Sequence, residues 1–243
     1  MTVTAFVLAL TIGLAMGILG GGGSIVAVPA LTTVLHLSPK DAVATSLVLV
    51  GATAAIGAAG AWWRGVLPIS AATIVGGASM IGAMAGGVVG ARLPDHVQLT
   101  ILAVVMFAAA LSLWFQPRLR AGEVSAGPAT LIALGLGVGA LTGLVGVGGG
   151  FFLVPAFSLV ARLPMVQAAA ASLFVITLSV IAALPPYAGS AVFDWRFIAP
   201  FAVTSGAAAI AGGFVARALP QRVLQKSFPT ILVLLGSYVL SQA

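Results

Sequence analysis

Cysteine is missing from this chain and charge nearly so: ten Lys and Arg, four Asp and Glu and two His stand among 243 residues. Without cysteine there are no disulfides, no thiolate metal ligands and no thiol nucleophile. A composition that is 6% charged and 61% hydrophobic lies outside that of a soluble globular domain. The formal net charge is +6, but the basic residues are scattered singly between apolar runs, whereas a nucleic-acid surface clusters them on a polar face. Nor are there paired carboxylates, a Ser/His/Asp set or histidines at metal-ligand spacing, so neither an enzyme nor a cofactor is expected. What remains is an all-α polytopic membrane protein whose first partner is the lipid bilayer.

Two glycine-rich stretches organise the chain, GILGGGGSIVAVPAL at 17–31 and GLVGVGGGFFLVPAF at 143–157. They share Gly17/Gly143, Gly20/Gly146, Gly22/Gly148, Gly23/Gly149, Val28/Val154, Pro29/Pro155 and Ala30/Ala156, at a constant offset of 155 − 29 = 126. A phosphate-binding loop would need Gly-Lys-Ser/Thr after its glycines, and Gly23 is followed by Ser24 and Ile25. Packing glycines recur every fourth residue on one helix face. Gly20, Gly21, Gly22 and Gly23 are consecutive, cover every face, and therefore unwind a helix rather than seat a neighbour. In lipid such a break is tolerated only where it is buried in protein or lines a cavity.

A span needs about 20 apolar residues, and charges and Pro/Gly clusters mark eight: 3–35, 42–61, 68–91, 97–115, 129–161, 166–187, 197–216 and 223–240. The first and fifth are too long to cross as one straight helix and must break at their glycines, the first resuming as a half-helix from Ser24. Residues 1–115 and 129–243 are then two homologous four-span repeats, joined by a hydrophilic linker at 116–128. The same offset carries Pro94 onto Pro220 and Val97 onto Val223. Gly82, Gly86 and Gly90 form a packing seam in the third span. An even number of crossings per half relates the halves by an axis along the membrane normal. Basic residues divide six to four between the alternate loop sets, a bias that puts both termini outside.

An unwound segment followed by a half-helix offers backbone N–H groups and the positive end of a helix dipole, which suits an anion. The candidate substrate-binding residues are Gly20 to Ser24 and Pro29 in the first break, and Gly146, Gly148, Gly149, Gly150 and Pro155 in the second. Ser46 and Ser172, matched by the offset, add hydroxyls at the start of the helix after each break. Thr53/Ser179 and Ser79/Ser205 are further matched hydroxyls, although most intramembrane hydroxyls bond their own helix or a neighbour. No Asp, Glu, Lys or Arg falls inside a span, and His36 and His96 stand at span ends. Trp62, Trp63, Tyr187 and Trp195, also at span ends, fit an interfacial aromatic belt.

The two glycine-proline motifs, the four-plus-four span pattern and the overall size resemble the sulfite exporter TauE/SafE family of membrane permeases. That resemblance implies movement of small sulfur-containing anions, such as sulfite or organosulfonates, across the bacterial inner membrane. It carries over Gly20 to Ser24, Pro29, Gly146 to Gly150 and Pro155. The motifs differ where Ser24 is matched by Gly150. The expectation is a secondary transporter, an exporter, holding a small anion between two broken helices. The alternatives are a membrane scaffold that uses the glycines for packing alone, or an importer of a different small solute.

Overall fold

The computed structural model describes residues 3–19, 24, 27–34, 37–114, 127–146, 149–187, 194–218, 230, 233–234 and 236–241. They are mostly helical: α1 (Val3–Leu19), α2 (Ala27–Val34), α3 (Pro39–Trp63), α4 (Ile69–Gly90), α5 (Asp95–Trp114), α6 (Pro128–Val145), α7 (Gly150–Leu159), α8 (Met165–Ala183), a 3-10 turn at Pro185–Tyr187, and α9 (Trp195–Ala218). Residues 236–240 are helical as well. Among the described residues α3, α4, α6, α8 and α9 are each long and apolar enough to cross a membrane, while α1 and α5 are shorter apolar helices. The eighth expected span, 223–240, lies mostly outside the described residues.

Helix ends follow local chemistry. Ser38 caps α3: its Oγ accepts from the Asp41 amide at 3.3 Å and donates to Asp41 Oδ2 at 2.6 Å, and Pro39 supplies a first position that needs no N–H. At its other end Gly65 takes the left-handed conformation (φ 66°), with Gly65 N–H on the Trp62 carbonyl and Val66 N–H on the Ala61 carbonyl, a Schellman closure. Helices therefore outrun the expected spans: Lys40, Asp41 and Asp95 stand in first turns rather than in loops. Acidic groups there suit the positive helix end.

Helix packing crosses the chain's midpoint. α4 packs most extensively on α6, α1 on α9, α4 on α8, and α3 on both α8 and α9. The apolar core is continuous, drawing on α1 through α9 and on Val239. Its contacts are close because small residues let backbones meet. A Cβ at Gly82 would overlap the Leu136 carbonyl oxygen, one at Gly86 that of Ala140, and one at Gly139 that of Ser79. The expected seam on α4 is thus real, and α6 answers it with Gly135, Gly139 and Gly143. The α1–α9 pair repeats the device, with Gly13 against the Ser205 carbonyl and Gly17 against that of Ala209. Where lipid gives helices no hydrophobic reason to associate, such close approach supplies dispersion and weak Cα–H···O contacts.

Candidate functional site

At the first break, α1 is described to Leu19 and α2 from Ala27; Gly20 to Gly23, Ile25 and Val26 lie outside the described residues. Ser24 and Pro29 are both buried. Ser24 is in 3-10 conformation, and the helix is described from Ala27.

The second break is defined by its flanks, although Val147 and Gly148 are outside the described residues. α6 ends at Gly146, which is left-handed (φ 73°) and donates its N–H to the Thr142 carbonyl at 2.9 Å; α7 begins after Gly149, also left-handed (φ 57°). Two left-handed residues three apart turn the chain out of one helix and into the next, and glycine reaches that conformation without strain. Gly146, Gly149 and Gly150 are all buried. Pro155 falls inside α7.

The carbonyl side of this break is held by side chains from three other elements. Tyr187 Oη donates to the Gly143 carbonyl at 2.8 Å, Gln98 Nε2 of α5 to the Leu144 carbonyl at 2.8 Å and to Tyr187 Oη at 3.1 Å. Ser46 Oγ of α3 lies 2.7 Å from the Gly146 carbonyl and 2.9 Å from its own helix's Val43 carbonyl. The last carbonyls of a helix have no intrahelical donor, and here they receive donors from the rest of the protein. Tyr187 is only 1% exposed, so it is a buried cap and not the interfacial anchor expected; Trp62, Trp63 and Trp195 are exposed as a belt requires.

The amide side differs. The N-cap of α7 is Gly149, which has no side chain to offer its first amides; Phe152 and Leu153 N–H bond the Gly149 carbonyl at 3.1 and 3.2 Å, and the Gly150 and Phe151 amides precede the first intrahelical acceptor. Thr142 packs against this helix end: a Cβ on Gly149 would come within 2.5 Å of Thr142 Oγ1. Two buried side-chain oxygens beside this break, Thr142 Oγ1 and Gln98 Oε1, have no hydrogen-bond partner.

Of the two expected serines, the structure brings Ser46 to the second break, whereas Ser172 spends its hydroxyl on the Ala168 carbonyl of its own helix at 2.7 Å. Both stand two turns inside α3 and α8 rather than at their starts. The other matched hydroxyls bridge helices: Thr53 to Ser205 at 2.5 Å, and Ser179 to Ser79 at 2.8 Å. Gln98, Thr142 and the capping role of Tyr187 were not foreseen. The available signal was that Thr142 is a hydroxyl where the matching position, 142 − 126 = 16, is Met16.

Long apolar helices, lipid-compatible small-residue seams and a buried helix break in the core define a multi-pass membrane protein of the transporter class. The chain belongs to the sulfite exporter TauE/SafE family, whose model matches residues 5–239. It is 31% identical over 243 residues, covering 94% of this chain and 91% of the relative, to a probable membrane transporter protein of Xylella fastidiosa strain 9a5c. It is 28% identical over 242 residues, with the same coverage, to another of that description from strain Temecula1. No solved structure matches the chain significantly. The protein is therefore a membrane transporter, with a small solute as its substrate.

Proposed function

We propose that this transporter carries small sulfur-containing oxyanions, sulfite or organosulfonates, outward across a bacterial inner membrane, and binds them at its helix breaks. The observation that carries this reading is the asymmetry of the second break: the carbonyls of Gly143, Leu144 and Gly146 all receive protein donors, while the N-cap of α7 is a glycine with no side chain to occupy its first amides. A cation site at a broken helix uses open carbonyls, and an anion site uses open amides and the positive dipole end. Here the carbonyls are spent. The binding residues in this reading are Gly146, Gly148, Gly149, Gly150 and Pro155 with Ser46, and by duplication Gly20 to Ser24, Pro29 and Ser172. Since Ser46 already donates to a carbonyl, its share is to hold the break in shape unless its hydroxyl rotates.

The division into repeats at 1–115 and 129–243, with a linker at 116–128 and eight spans, belongs to the same reading. Its support is contacts that recur 126 residues apart with the halves exchanged. Gly13 on Ser205 matches Gly139 on Ser79, and Gly17 on Ala209 matches Gly143 on Ala83. Thr53 with Ser205 matches Ser179 with Ser79. Within each half, without exchange, Leu37 N–H on the Leu31 carbonyl matches Leu163 N–H on that of Phe157. In such a pair of repeats, each broken span lies through its first helix against the third span of the opposite half, α1 on α9 and α6 on α4.

The test is flux in proteoliposomes loaded in turn with sulfite, sulfate, thiosulfate and a taurine-like sulfonate. Saturable movement of at least one sulfur oxyanion, with none of sodium or potassium, is expected. Cation movement with no anion movement would overturn the reading.

A further inference from the structure

We propose that Thr142 binds the transported oxyanion at the second break, its hydroxyl donating to an anion oxygen beside the N-terminus of α7. This deepens the anion-transport reading and rests on it. Thr142 is 0% exposed and its Oγ1 has no hydrogen-bond partner. A threonine hydroxyl in a helix usually bonds a carbonyl three or four residues back, as Thr53, Thr32 and Thr177 do here. Leaving one unsatisfied in the interior is unfavourable, and a site that bears this burden empty is relieved when a ligand supplies the partner.

The direction of the hydroxyl names the ligand. Thr142 Oγ1 occupies the space that a side chain on Gly149 would take, within 2.5 Å of that Cβ position, and Gly149 is the residue from which α7 starts. Any residue but glycine would separate the hydroxyl from the helix end. The Thr142 hydroxyl and the amides of Gly150 and Phe151, which precede the first intrahelical acceptor, are donors, and a small oxyanion offers acceptors to each. The neighbouring unpartnered Gln98 Oε1 is an acceptor only, on an amide whose nitrogen faces the Leu144 carbonyl, so it serves the carbonyl side and not the anion. At the matching position of α1 stands Met16, buried and without a polar group. The two breaks are thus chemically unequal, and the anion's tightest position is at the second rather than midway between them.

The experiment compares wild type, Thr142→Val and Thr142→Ser, each the full chain purified and reconstituted, by the concentration dependence of sulfite flux and by thermal unfolding in detergent. Valine keeps the shape and removes the hydroxyl. It should raise the half-saturating sulfite concentration about ten-fold or more, the scale of a lost hydrogen bond to a charged group, while leaving the melting temperature equal or higher because a buried, unsatisfied oxygen is gone. Serine should restore the wild-type half-saturation. A structural threonine would give the reverse, a lower melting temperature with unchanged half-saturation, and would overturn the proposal, as would failure of serine to rescue. If wild type moves none of the oxyanions, the transport reading itself falls; if wild type moves sulfite and Thr142→Val does so with the same half-saturation, only the role of Thr142 falls.

Discussion

At the scale of single residues, the second break is a hydrogen-bond problem solved with few side chains. The Tyr187 hydroxyl both accepts from Gln98 Nε2 and donates to the Gly143 carbonyl, so one phenolic oxygen links α5 to the end of α6. Tyr187→Phe keeps the ring and removes that link. It should destabilise the protein by about 1 to 3 kcal/mol, because the Gly143 carbonyl is left buried without a donor; unfolding in detergent measures this, and an unchanged melting temperature would show the link to be unimportant. None of this was legible in the sequence. A tyrosine in LPPYAGS at the end of an apolar run reads as a membrane-interface anchor, and what turns it inward are the Gly143 carbonyl and Gln98, the latter 89 residues away. A Cβ on Gly90 would overlap the Tyr187 hydroxyl and lie 2.6 Å from the Leu144 carbonyl oxygen. Gly90 is regular in spacing with Gly82 and Gly86, so the sequence shows it as one more packing glycine, although it also makes room for the tyrosine.

Among the elements, the legible features were those written in periodicity, and the missed ones depended on which helix meets which. The breaks follow from runs of glycine that no single helix face can use, and the α4 seam from a four-residue repeat; the left-handed Gly146 and Gly149 mark the second break and the seam holds, while Gly20 to Gly23 lie outside the described residues. The partner of that seam was not legible, because a small-residue stripe is complementary to any other such stripe. Only the fold puts α6 there, and α9 against α1. The seam can be tested within one helix by the same substitution at two glycines. Gly77 is exposed and has open space at its Cβ, whereas a Cβ at Gly86 would overlap the Ala140 carbonyl oxygen. Gly77→Ala should be neutral or stabilise by up to about 1 kcal/mol through helix propensity. Gly86→Ala should destabilise by about 1 to 3 kcal/mol, since α4 and α6 must separate to admit the methyl group. Equal shifts in melting temperature would mean that the close approach of the two backbones contributes nothing.

For the molecule as a whole, the scarcity of charge bears on what drives transport. The acidic residues Asp41, Asp95 and Asp194 lie at helix starts or just before them, and His96 is an exposed residue in the first turn of α5; His36 and Glu123 are outside the described residues. Proton-coupled carriers commonly keep a carboxylate or histidine within the membrane, and the apolar stretches here offer hydroxyls and amides in their place. An exporter of anions from a cell that is negative inside needs no proton, since the membrane potential is worth about 2.3 kcal/mol per elementary charge per 100 mV, and twice that for a dianion. The proposed efflux should therefore be electrogenic, faster as the substrate-containing side is made more negative. Sulfite is a poor probe for this, because it takes up a proton near neutral pH and can bring its own coupling; a sulfonate with no group titrating in that range removes the ambiguity. In liposomes with a potassium-clamped potential, its efflux should rise with voltage and be indifferent to an imposed pH gradient. Dependence on the pH gradient at zero potential would reject a purely voltage-driven mechanism and turn attention to the histidines and the acidic groups at the helix starts.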